Sequence, residues 1–372
     1  MSEETKASPA AEVAVASSRP ARAIARAEEA AQRPISEQAD RLISQLLEMV
    51  ESKQNHDLLR ELLATSIRLG DGMPSRLDLK IATSALSEMA RAFTLFAPFR
   101  GIPKLTMFGS ARTRPEDPLY AQARQLAARL AAEGWMVVTG AGPGIMAAGT
   151  DGAGPEMAIG VDIRLPFESV SHPELAAEGR LVEMKYFFTR KLMLMKESAG
   201  FAVLPGGFGT LDEAFELLTL LQTGKAEPAP IVLLDMPHEP YWESWLSFVE
   251  GEVIGRGLAG QHDKAFYKIT DDVEVASKEL LGFYRNYHSR RFVRNVMVMR
   301  LKVAPSDAEL AAANEEFSDI CSQRGIWRTE PLGPERTGRD NLELPRIALE
   351  LDLRYQGRLR ELIDTVNTWG GA

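Results

Sequence analysis

Between residues 104 and 234 short apolar runs recur, over 105–108, 135–139, 158–163, 201–204 and 231–234, and helical stretches separate most of them. The runs are rich in Val, Ile and Leu and show no polar alternation, so the strands they predict are buried on both faces. That is the condition of a parallel sheet covered by helices. The rhythm therefore predicts the α/β class: a doubly wound, Rossmann-like parallel sheet with helices on both faces. Ligands in such sheets bind beyond the carboxyl ends of the strands, which directs attention to the residues that follow each run.

The chain has 372 residues, more than this sheet needs. Residues 1–36 are alanine-rich, lack aromatics and carry scattered Pro, Glu and Arg, a composition expected to form a disordered tail. Arg19, Arg22 and Arg26 beside Glu28 and Glu29 leave a partner-binding helix open there. Residues 37–100 repeat apolar positions at three- and four-residue steps, as in Leu42, Ile43, Leu46, Leu47 and Val50, then Leu58 to Leu63, then Ile81, Leu86, Met89, Phe93 and Phe96. They predict a helical N-terminal cap broken by turn residues at 70–75. Residues 101–288 hold the Rossmann-like domain. Residues 289–372 read as a small α+β appendage, with strands at 296–301 and 347–353, a helix opening after Pro305, a loop near 333–340 and a last helix over 358–369.

The 43 basic against 52 acidic residues leave a net charge of −9, which provides no global field for nucleic acid, so no nucleic-acid partner is expected. Cys321 is the single cysteine. It excludes an intramolecular disulfide and a cysteine-built zinc site, and fits a reducing cytoplasm. Nowhere do about 18 apolar residues run together and no secretory signal is visible, so a soluble cytoplasmic protein without membrane contact is expected. His56, His172, His238, His262 and His288 show no ligand spacing, and no metal site is expected.

Three glycine-bearing turns follow predicted strands. The first, Phe108-Gly109-Ser110-Ala111-Arg112, offers a small residue, a hydroxyl and a charge, though a plain tight turn explains it equally. The second, Thr139-Gly140-Ala141-Gly142-Pro143-Gly144-Ile145-Met146, closes a strand and opens a helix whose first amides would face an anion. It lacks the Gly-Lys-Ser/Thr of a P-loop, and Ile145 stands where a dinucleotide fingerprint has its third glycine. Asp162 lies 20 residues after Gly142 and keeps a ribose contact open. The third turn, Leu204-Pro205-Gly206-Gly207-Phe208-Gly209-Thr210-Leu211-Asp212-Glu213, forms an amide-lined nest at a helix start, with Thr210 expected as N-cap and Glu213 at the third helical position. Glu213 there could complete a capping box with Thr210 or serve a site. Arg190 and Lys191 open the helix before this strand and suit phosphate recognition, although such a pair is commonly a solvated face.

Arg190-Lys191 followed by Pro205 to Glu213 resembles the signature of the LONELY GUY family, cytokinin riboside 5′-monophosphate phosphoribohydrolases formerly called lysine decarboxylases. The Gly140 to Met146 turn is similar to that family's second glycine motif, and the likeness covers roughly residues 100 to 255. The flanking regions resemble those of larger bacterial nucleotide 5′-monophosphate nucleosidases. The resemblance implies that Arg190 and Glu213 form the catalytic pair, and that Lys191, Gly206, Gly207, Gly209 and Thr210 bind the nucleotide. Gly109, Ser110, Gly140, Gly142 and Gly144 would line the same cleft. It implies cleavage of the N-glycosidic bond of a nucleoside 5′-monophosphate such as AMP or a cytokinin riboside monophosphate, without cofactor, in a homodimer or higher homo-oligomer. Two positions depart from the family pattern: Phe187 replaces a Met, and Ala141 the middle glycine of three. A non-catalytic nucleotide or cofactor carrier or sensor on the same fold is the alternative.

Overall fold

The computed structural model describes residues 33–52, 54–164 and 173–370. The expected tail therefore lies outside the described residues, apart from its last four. The chain divides into two compact units, Met1–Leu86 and Ser87–Ala372.

In the first unit, helices Glu37–Glu48 and His56–Asp71 precede the start of a long helix, Arg76–Phe96. Ser36 caps the first helix by accepting from the Ala39 amide. Ile43 and Leu47 pack on Ala64, with Leu59, Leu63 and Ile67 around them, a core of only a few side chains.

The second unit is built on seven parallel strands: β1 Lys104–Phe108, β2 Met136–Thr139, β3 Ala158–Ile163, β4 Leu181–Met184, β5 Gly200–Val203, β6 Ile231–Leu234 and β7 Tyr267–Thr270. Their order is β4-β3-β2-β1-β5-β6-β7. Alternate residues feed two cores on opposite faces of the sheet: Met136, Val138, Phe201 and Val203 enter one, Leu105, Met107, Val137 and Ala202 the other. This is the doubly wound architecture the rhythm predicts. The chain winds outward from β1 through β4 on one side and from β5 through β7 on the other, so the order reverses between β1 and β5. The two added edge strands, β4 and β7, each carry a charged residue, Glu183 and Lys268. An edge strand needs no continuous apolar run, which is why periodicity passes them over.

Within the same unit the chain continues into an antiparallel sheet ordered β10-β11-β9-β8, with β8 Tyr287–Val293, β9 Val296–Leu301, β10 Cys321–Arg328 and β11 Arg346–Leu351. Helices Asp307–Glu316 and Gln356–Val366 complete its core, together with Phe283, Phe317 and Trp369. β8 holds Arg290 and Arg291, and β10 is largely polar, so both escape an apolar-run reading. The loop expected near 333–340 contains a short helix, Gly333–Gly338, with Glu335 accepting from the Leu332 amide at 3.0 Å. Arg290 reaches Ala226 O at 2.9 Å and Glu227 at 3.1 Å, and Tyr284 donates to Ala199 O at 2.8 Å, tying this sheet to the parallel one. Among the described residues no helix is long and apolar enough to cross a membrane.

Candidate functional site

β2, β1 and β5 are neighbours, and each ends in one of the three glycine turns. Backbone hydrogen bonds knit the turns together at the point where strand order reverses: Leu204 N–H to Phe108 O at 2.9 Å, Ser110 N–H to Pro205 O at 3.2 Å, and Ile145 N–H to Ser110 O at 3.0 Å. The Ser110 hydroxyl accepts from the Arg112 amide at 3.0 Å, a local turn bond. Gly144 has φ 69°, a left-handed conformation, and a Cβ there would stand 2.2 Å from Ser110 O, so glycine is required on both counts.

Helix Phe187–Lys196 lies between β4 and β5 in sequence and carries Arg190 and Lys191. Arg190 is buried, with Nε donating to Val161 O at 2.9 Å and Nη2 to Gly140 O at 3.0 Å, so its guanidinium spans the carboxyl ends of β3 and β2. A Cβ on Gly140 would come within 1.9 Å of Arg190 Nη2: this glycine makes room for the arginine. Lys191 points elsewhere, pairing with Asp212 at 2.6 Å and Glu216 at 2.7 Å and joining its helix to the next one. Burial works against its charge, but these hydrogen bonds and charges outweigh it and raise the lysine pKa.

The helix after β5 runs Phe208–Gln222, with Gly207 at its N-cap position. This corrects the expected cap: Thr210 is the third helical residue, no side chain caps the helix, and Glu213 sits at the sixth position, where no capping box with Thr210 can form. The flexible glycines let the helix begin earlier than a side-chain cap would allow. Thr210 is buried, and a Cβ on Gly206 would lie 2.2 Å from its Oγ1. Gly207 and Gly209, by contrast, have nothing within 4 Å of a Cβ position. Tyr241 donates to Gly206 O at 2.7 Å and supports the loop from behind.

Glu213 is the perturbed acid of the site. Burial pushes its pKa from the ordinary 4.5 to about 7; Arg190 and Lys191 oppose the rise, and Asp212 and Glu216 add to it. A carboxylate so balanced exchanges its proton near neutral pH, which suits a general base. Asp162, on β3, accepts from the Ile163 amide at 2.8 Å.

The sequence of residues 141–280 matches a family described as "possible lysine decarboxylase". A cytokinin riboside 5′-monophosphate phosphoribohydrolase of Mycobacterium marinum is 31% identical over 140 residues, 37% of this chain and 73% of that protein. The chain belongs to the LONELY GUY family. Other relatives align over less: an Arabidopsis thaliana cytokinin riboside 5′-monophosphate phosphoribohydrolase at 42% over 64 residues, 17% of this chain and 29% of its own length, and a bifunctional cytokinin biosynthesis protein of Fusarium pseudograminearum at 31% over 109 residues, 28% and 22%. The chain thus spans well under half of these two relatives. The X-ray structure of TM1055 aligns with 48% of this chain and 97% of its own at 20% identity and a TM-score of 0.34.

Against the LONELY GUY pattern, Ala141 adopts φ 56° where the family has glycine, a left-handed conformation that costs an alanine about 1 kcal/mol. Gly160 leaves space for its methyl, since a Cβ there would lie 2.9 Å from Ala141 Cβ. Phe187 is half-exposed at the first helical position, one turn before Arg190. The older name, lysine decarboxylase, implies pyridoxal phosphate on a lysine. Lys191 does not fit that group, because a Schiff-base lysine needs a lowered pKa and its two carboxylate partners raise this one. Sequence reading missed Tyr241 and the buried Glu88, which accepts from the Thr189 hydroxyl at 2.6 Å. The signal for Glu88 was an acid at helical spacing from the small residues Ala85 and Ala92. Of the expected stripe, Phe96 is buried and Met89 packs on the same core, whereas Leu86 and Phe93 are left about two-fifths exposed.

Proposed function

We propose that the protein hydrolyses the N-glycosidic bond of nucleoside 5′-monophosphates, releasing free base and ribose 5-phosphate. The observation that carries this reading is the half-buried Glu213 with its pKa near 7, coupled to a buried Arg190 at the reversal point of the sheet. The relatives' names supply the substrate class. In the proposed reaction the ionised Glu213 takes a proton from water as its oxygen bonds to the anomeric carbon. The bond to the base nitrogen breaks, the nitrogen keeps the electron pair, and the proton taken up by Glu213 passes to the departing base, which restores the carboxylate. The same carboxylate stabilises the positive charge that develops on the ribose.

Arg190 fixes the site's geometry and the charge opposite Glu213. The amides around Gly109, Ser110, Gly142, Gly206, Gly207, Gly209 and Thr210 hold the phosphate, where Gly207 and Gly209 leave open space. Lys191 acts through its pairing with Asp212 and Glu216. AMP or a cytokinin riboside monophosphate is the preferred substrate, and the reaction takes place in the cytoplasm. The active species is a homodimer: Phe188, Leu192, Phe208 and Phe215 are 40–94% exposed on the two helices that Lys191 joins, an apolar area suited to a second copy. Incubating the protein with a panel of nucleoside monophosphates and their parent nucleosides, then resolving released base by chromatography, tests the reading. Release from monophosphates and little from nucleosides is expected; equal rates on both would overturn it.

A further inference from the structure

We propose that Glu88 is a positioning residue for this site: its buried carboxylate caps the helix Phe187–Lys196 through Thr189 and Tyr186, and thereby fixes Arg190 opposite Glu213. The inference rests on the reading of Arg190 and Glu213 given above.

The helix lacks a cap of its own, because Tyr186 at the N-cap position makes no side-chain bond to it. Its first amides therefore depend on a group from elsewhere. Glu88, on the helix Arg76–Phe96, is 3% exposed; its Oε2 lies 2.6 Å from Thr189 Oγ1 and 3.4 Å from the Tyr186 amide. Thr189 is fully buried and its hydroxyl also lies 2.8 Å from Tyr186 O, so hydroxyl, carbonyl and carboxylate meet at the first turn of the helix, where negative charge is favoured. Arg190 is the next residue and bonds through its backbone N–H to Tyr186 O at 3.2 Å. Its guanidinium is held by the strand carbonyls of Gly140 and Val161, and its backbone end by Tyr186, whose own amide donates to Glu88. Two anchors are needed to fix a long side chain, and the second comes from a residue outside the family-matched stretch 141–280. Loss of the cap lets the first turn fray and weakens the hold of Arg190 on Glu213, whose other charged neighbours are Lys191, Asp212 and Glu216.

The test compares the wild type with Glu88→Ala and Glu88→Gln, reading kcat and KM for AMP from pH 5 to 9 and the melting temperature over the same range. Glu88→Ala is expected to lower kcat about 10- to 100-fold with a smaller change in KM. The acid limb of its rate profile should move up by about half a pH unit, because Arg190 no longer favours the ionised Glu213. Glu88→Gln keeps an acceptor for Thr189 and is expected to recover most of the rate and the wild-type midpoint. A loss of stability alone would move neither midpoint, so an unshifted rate profile in Glu88→Ala overturns the proposal. If Glu88→Ala does not fold, Thr189→Val replaces it under the same criteria. If the wild type releases no base from AMP or the other monophosphates, the hydrolase reading fails. The pH dependence of melting then decides this inference by itself: a raised midpoint in the variant supports it and coincident midpoints overturn it.

Discussion

Two glutamates, each beside buried arginine, have opposite fates in this chain. Glu335 in the C-terminal sheet is fully buried. It bonds Arg300 through Oε1 at 2.8 and 3.1 Å and Arg346 at 3.4 Å, while its Oε2 accepts from the Leu332 amide at 3.0 Å. Burial alone would raise its pKa, but these bonds and charges outweigh it and hold the carboxyl below the usual range. Glu213 has Arg190 near it, and Arg190 also bonds the carbonyls of Val161 and Gly140, but burial prevails. A carboxylate given a full set of donors becomes permanent structure. One that is desolvated and left to a nearby charge stays available to protons.

The sharpest way to break this contrast is to neutralise each acid in turn. Glu213→Gln should reduce turnover by about 10²- to 10⁴-fold, the usual loss for a general base, while monophosphate binding measured by calorimetry holds or tightens. Near-normal turnover would return Glu213 to a structural role. Glu335→Gln leaves two buried guanidinium groups short of a counter-charge and should cost about 3–5 kcal/mol in denaturant unfolding, with kcat unchanged in the fraction that stays folded. A loss within 1 kcal/mol would show that the cluster contributes little to folding.

Next in size is Gly140→Ala, whose methyl would overlap Arg190 Nη2. It should displace the arginine and lower kcat about tenfold or more, whereas Gly207→Ala meets no protein atom and should leave the melting temperature in place while weakening monophosphate affinity. Equal effects of the two on stability would contradict the different surroundings of these glycines.

The pH dependence sharpens the comparison further. Turnover should rise with pH through about 7 as Glu213 ionises. Stability runs the other way. The folded pKa of Glu213 lies above its unfolded value of 4.5, so its contribution is fully present below pH 4.5 and is lost as pH rises through about 7. Glu213→Gln should therefore gain on the wild type across that window, by on the order of 3 kcal/mol at its plateau above pH 7, read as a difference in melting temperature. A constant difference from pH 4 to 8 would assign the effect to packing instead.

Much of this was legible in the residues themselves. Five apolar runs without alternation specify a parallel sheet buried on both faces, because strands inside such a sheet have no polar side to show, and glycine turns after three of them locate the ligand end. The edge strands β4 and β7 and the polar strands β8 and β10 were not legible, since an edge or half-exposed strand is stabilised by neighbours that are distant in sequence. Local spacing also misplaced the helix start at Thr210, where three glycines make the boundary a matter of tertiary contacts. Residue types at fixed spacing made Arg190 and Glu213 candidates, and the family resemblance that those residues carry implied their pairing. Only the packed structure decided their state. The depth of burial of Glu213, the carbonyls that hold Arg190, the two acids that claim Lys191 and the arrival of Glu88 from another helix all depend on which surfaces meet, and electrostatic strength is set by that enclosure.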